Sequence, residues 1–85
     1  MEPEEMDLIE LLEDVAIQPS WRVKPDFSAT TLSKGQQGMV VHRQDVTPPL
    51  YDVEFIDAAT KEPVVLAVLR GDQVRVVESD TLRIE

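Results

Sequence analysis

His42 is the sole histidine in 85 residues, and cysteine is absent. A lone imidazole moves a proton productively only when the fold brings it a nucleophile, an acid or a metal partner. Alternation over residues 39–42 places Met39 and Val41 on one side and Val40 and His42 on the other, so His42 reads as an ordinary strand residue facing water or a groove. With no thiolate and no second imidazole, a transition metal lacks donors, and no carboxylates are spaced as in a calcium loop. Asp52 and Glu54 share a strand face, where a cleft would make them an acid/base pair and an open surface leaves them as solvated charges. Gly35 and Gly38 could suggest a phosphate cradle. A dinucleotide site, however, needs a third glycine and a helix next, and a P-loop needs Gly-Lys-Ser/Thr, whereas a β-branched run follows here. These residues therefore predict no catalytic group, no metal, no cofactor and no enzyme.

The segments that carry them are strands. Lys34-Gly35-Gln36-Gln37-Gly38-Met39-Val40-Val41 reads as a turn that needs unusual backbone angles or close approach, entering a strand over residues 39–43. Tyr51, Val53 and Phe55 alternate with Asp52 and Glu54, which predicts a half-buried strand over 51–57. Residues 64–69 form a nearly continuous apolar run suited to the most buried strand. Arg70-Gly71-Asp72 interrupts it, and residues 74–77 read as a short last strand. Residues 15–17 suit a short first strand, and Leu82-Arg83-Ile84 suits a terminal pairing or a trailing tail.

Two segments are less regular. Over residues 6–15, Leu8, Leu11, Leu12 and Val15 share a helical face. With Pro3 and acids in the first turn, this predicts a short amphipathic acidic helix, the alternative being a frayed or extended arm. Residues 18–31, punctuated by Pro19 and Pro25, read as a loop long enough to offer a contact surface. Trp21, beside Arg22, would either anchor a partner or, with Phe27, fold the loop back onto the core, the reading we favour because large aromatics supply much of a small core.

At this length there is room for one domain with one modest core. The expected division is an acidic arm over 1–14, a five-stranded SH3-like β-barrel over 15–77 and a tail over 78–85. Absence of cysteine suits a reducing cytoplasm, and no apolar run approaches the roughly 20 residues of a membrane helix. The net charge of −9 is concentrated at the ends: residues 1–14 hold seven acids and no base, while 15–77 is balanced. That distribution argues against a nucleic-acid partner, whose phosphates need clustered Lys and Arg.

The combination Lys34-Gly35-Gln36-Gln37-Gly38-Met39-Val40-Val41-His42, Tyr51-Asp52-Val53-Glu54-Phe55-Ile56-Asp57, Val65-Leu66-Ala67-Val68-Leu69 and Asp72-Gln73-Val74-Arg75 resembles an uncharacterised family of small bacterial proteins, domain-of-unknown-function family 4926. The resemblance spans about residues 32–77. It departs from the family in the length of 18–31 and in the lack of a glycine after the Glu54-Phe55 strand. It implies an SH3-like barrel and, because such genes often neighbour toxin-like proteins, a binding or immunity-like role without assigning a binding residue.

The expected function is therefore a non-catalytic protein–protein interaction module, an inhibitor or immunity-like partner of a more basic protein. Candidate contact residues are Leu8, Glu10, Leu11, Leu12 and Glu13 of the arm, whose apolar members exceed what a solvated tail needs, together with Trp21 and Arg22 of the loop. The arm would cap the barrel, pair two protomers as a homodimer, or dock in a partner. The runner-up is a KOW-like RNA- or ribonucleoprotein-binding module, suggested by the glycine turn between Lys34 and Arg43.

Overall fold

Alternating apolar positions set the strands, and a computed structural model describes residues 2–78. In chain order these are β1 (Leu8–Leu11), β2 (Val15–Ala16), β3 (Thr31–Leu32), β4 (Gln37–Gln44), β5 (Leu50–Ile56), β6 (Pro63–Arg70) and β7 (Val74–Glu78). Short 3₁₀ turns occupy Pro19–Trp21 and Gly71–Gln73. The protein is mainly β, with a five-stranded antiparallel sheet in the order β6-β5-β4-β1-β7 and a small β2-β3 ribbon. The expected pairing of residues 82–84 lies outside the described residues.

The acidic N-terminal helix does not form. Leu8, Leu11 and Leu12 suit a helical stripe, but Ile9 and Leu11, two apart, suit a strand, and both are completely buried as β1. The strand prevails because β1 pairs with two neighbours, β4 and β7. A short isolated helix has no comparable source of stability. The ladder is extended by Met6, whose N–H donates to Val40 O at 2.7 Å, and by Val40 N–H donating to Asp7 O at 2.9 Å.

The sheet does not close into a barrel, since β6 and β7 stand at opposite edges. Part of the β6 edge is instead covered by the loop over 18–31. Val23 N–H donates to Val64 O at 3.0 Å, and Arg22 bridges Val65. Trp21 and Phe27 pack against the core from that loop, and the Arg22 guanidinium donates to the Phe27 carbonyl, holding the loop to itself.

One core lies under the sheet. Ile9, Leu11, Val40, Tyr51, Val53, Phe55, Ala67, Leu69 and Val74 point inward from the main sheet, and Val15 and Leu32 join them from the ribbon. The two glycines of the opening motif serve different ends. Gly35 has φ +88°, which glycine adopts without a Cβ penalty, and its N–H donates to Leu11 O at 2.8 Å. Gly38 faces the core where the rings and methyls of β5 leave no room for a side chain.

Candidate protein-binding face

Because β1, β4, β5, β6 and β7 bury one face, their alternate residues form a second, outer face. The register aligns Leu66, Glu54, Met39, Leu8 and Glu78 as a row running across all five strands. Beside it, Val68, Asp52 and His42 form a second row. A register shift between Val40 and His42 interrupts the alternation, so Val41 and His42 are both exposed while Val40 is buried. The sheet therefore presents apolar residues interspersed with carboxylates.

At the end of this face where β5 finishes, a groove of about 670 Å³ is lined by Leu8, Met39, Ile56 and Phe27, with Glu54, Asp57 and Lys61 at its rim. Ile56 is 48% exposed and lies beside the other three apolar groups of this groove. Asp57 is committed locally: its Oδ1 accepts from Ala59 N–H at 2.7 Å and Thr60 N–H at 3.2 Å, closing the β5–β6 turn. A second groove, of about 410 Å³, is formed by Pro3, Pro48, Pro49 and Tyr51 beside Arg70 and Asp72. Glu2 crosses it, with Oε1 3.2 Å from Arg43 Nη2 and 3.5 Å from the Tyr51 hydroxyl. Burial raises the Tyr51 phenol above its ordinary pKa, and the Glu2 carboxylate pushes in the same direction against the opposing pull of Arg43.

The candidate residues from the sequence fall into separate environments. Leu11 is core, Leu8 lies on the outer face in the groove, and Leu12 is exposed beyond the end of β1. Trp21 is half-buried against the core, and Arg22 is held to the Phe27 carbonyl. Six of the seven acids of residues 1–14 have partners within the fold. Glu10 pairs with Arg75, Glu2 with Arg43, and Glu5 approaches His42 Nδ1 at 3.5 Å. Glu13 accepts from Gln73 at 3.3 Å, Asp14 from Lys34 N–H at 2.8 Å, and buried Asp7 from Glu4 N–H at 2.9 Å.

The residues with catalytic types lie on the open outer face, where His42 is the register partner of Asp52. His42 is exposed on β4, and Asp52, which accepts from the Gln44 amide at 2.8 Å, lies on the open sheet face with Glu54. Among the described residues, no three His, Asp or Glu side chains are grouped to hold a metal ion. No described helix is long and apolar enough to cross a membrane. Sequence reasoning missed Met39 and Ile56 as groove residues. The signal was present in Ile56, an apolar residue in phase with Asp52 and Glu54 on the outer side of β5. Compared with family models, curated proteins and solved structures, the chain gives no match.

Proposed function

We propose that the protein is a non-catalytic binding module that recognises a basic protein partner through the outer face of its sheet, in the manner of an inhibitor or immunity-like protein. The observation that carries this reading is the groove of Leu8, Met39, Ile56 and Phe27 with Glu54 at its rim. An apolar recess supplies contact area, and a carboxylate without a charged partner among the described residues selects a cation beside it. The net charge of −9 adds long-range attraction for a basic surface. A cytoplasmic location and membership of family 4926 belong to the same proposal.

The SH3-like assignment is likewise a proposal. It is supported by the meander β4-β5-β6, by the long excursion between β1 and β4, and by the 3₁₀ turn that precedes the last strand beside β1. RNA binding is less well supported by the surroundings of the glycine turn. Arg43 is paired with Glu2, and the Asp14 carboxylate, which accepts from the Lys34 backbone N–H, sets a negative charge beside the turn that disfavours phosphates.

The test is a titration of isotope-labelled protein with two alternating heptapeptides, one of lysine and valine and one of glutamate and valine. The lysine peptide is expected to shift the Leu8, Met39 and Ile56 resonances, and the response should weaken as salt rises. Equal response to both peptides, or to neither, rejects the reading. Salt-sensitive binding of single-stranded RNA in its place would favour the alternative.

A further inference from the structure

The outer edge of β6 is open over a short window whose two ends are closed by the protein itself. Val64 O accepts from Val23 N–H at 3.0 Å, so the backbone of residue 64 points away from β5. Strand geometry gives residues 66, 68 and 70 the same direction. At the far end, the outward N–H of Arg70 donates to Gln73 Oε1 at 2.8 Å. Between these caps, the Leu66 carbonyl and both backbone groups of Val68 face outward with no strand beside them among the described residues.

Sheet edges are normally blunted by charge, proline or bulges. Here the proline and the charge sit at the ends, Pro63 and Arg70, and the pairing with β5 is regular from Val65 to Arg70. Leu66 and Val68 are 39% and 36% exposed on the outer face, directly opposite Glu54 and Asp52 of β5. A strand added beside β6 would lie about 10 Å from β5, two strand spacings away. Lysine and arginine bridge such a gap by laying their aliphatic stems over apolar neighbours and extending the charged head.

We infer that this window receives an extended segment of a basic protein by strand addition, with Lys or Arg at alternate positions reaching over Leu66 and Val68 toward Glu54 and Asp52. The inference rests on the protein-binding reading above and specifies how the partner is held: main-chain hydrogen bonds supply attachment, and the carboxylates supply selection. A second copy of this chain is a poorer occupant. It brings another −9 of charge, and its own β6 offers at this face only Leu66, Val68 and an Arg70 already held by Asp72 at 3.0 Å.

The alternating lysine–valine heptapeptide tests this against the same peptide N-methylated at alternate amides, in both phases, which leaves the protein unaltered. Binding of the parent peptide should protect the Val68 amide from hydrogen exchange, and methylation in the pairing phase should weaken binding at least about tenfold, the cost of one or more interfacial hydrogen bonds. Val68→Pro should do the same, since that N–H is outside the β5 ladder, and Asp52→Asn with Glu54→Gln should remove the preference for lysine over glutamate. Equal binding of parent and both methylated peptides, abolished by Ile56→Asp, overturns strand addition while keeping the groove as the binding site. No binding of the parent peptide overturns strand addition together with the protein-binding reading. A dimer in sedimentation that Leu66→Lys dissociates would overturn the inference in favour of a second copy.

Discussion

A Cβ on Gly38 would stand 2.8 Å from Cε1 of Phe55 and 2.8 Å from Cγ1 of Val53. Glu54 O lies only 3.0 Å away, so β4 and β5 approach each other at a point where even a methyl group has no space. Phe55 is fully buried, and β5 is fixed by β6 on its other side, so neither neighbour yields freely. Gly38→Ala should destabilise the protein by about 1–3 kcal/mol through overpacking, read as a lowered denaturant midpoint with an unchanged slope. Gly35→Ala meets no atom within 4 Å, so its cost is set by φ +88° alone and should be about 1–2 kcal/mol.

The strand at the N-terminus makes Ile9 and Leu12 unequal despite their similar side chains. Ile9 is completely buried between β4 and β7, whereas Leu12 is 43% exposed. Ile9→Ala should cost about 2–5 kcal/mol and Leu12→Ala less than about 1 kcal/mol in equilibrium unfolding. Equal small costs would mean that residues 8–11 are a detachable arm.

The strands at residues 51–57 and 74–77 were legible because period-2 burial writes itself into the sequence, as in Tyr51, Val53 and Phe55. Those at 39–43 and 64–69 were legible from their apolar, β-branched runs, although β6 proves to be an edge strand with Leu66 and Val68 exposed, not the most buried one. Residues 8–12 were not, because Leu8, Ile9, Leu11 and Leu12 satisfy both periods and only the two waiting strand edges decide between them. The acids of residues 1–14 looked like a free charged arm in sequence, since their partners, Arg43, Arg75, Gln73 and the Lys34 amide, are 20 to 65 positions away. The outer-face groove was legible only at Ile56, apolar in phase with Asp52 and Glu54; Leu8 and Met39 join it only through register.

Trp21 provides a test of the long loop. It packs on the core beside β6 while remaining half-exposed. Trp21→Ala should therefore destabilise the fold by about 2–3 kcal/mol, below the about 3–5 kcal/mol of a fully buried tryptophan. Unfolding should shift the emission of this single indole to longer wavelength as water reaches it. A variant as stable as the parent would return Trp21 to the role of a partner anchor.

Tyr51 couples the proline-lined groove to alkaline pH. Its phenol is pushed above the ordinary value of 10.0, first by burial and then by Glu2, whose Oε1 is 3.5 Å from the hydroxyl. In the unfolded chain the phenol loses its proton near pH 10. The folded protein still holds the proton there, so between the unfolded and folded values the native state binds more protons. Stability must then fall as pH rises through that window, while below it the contribution is complete and flat. The slope should not exceed about 1.4 kcal/mol per pH unit for one proton. Tyr51→Phe removes this titration, so denaturant unfolding in a pH series should show a shallower alkaline decline than the parent. Lys24, raised mainly by its hydrogen bond to Glu62, persists in both proteins and cancels in the difference. Ultraviolet titration of this single tyrosine should place its ionisation above that of a free phenol, and Glu2→Gln should lower it part of the way, leaving the larger share caused by burial.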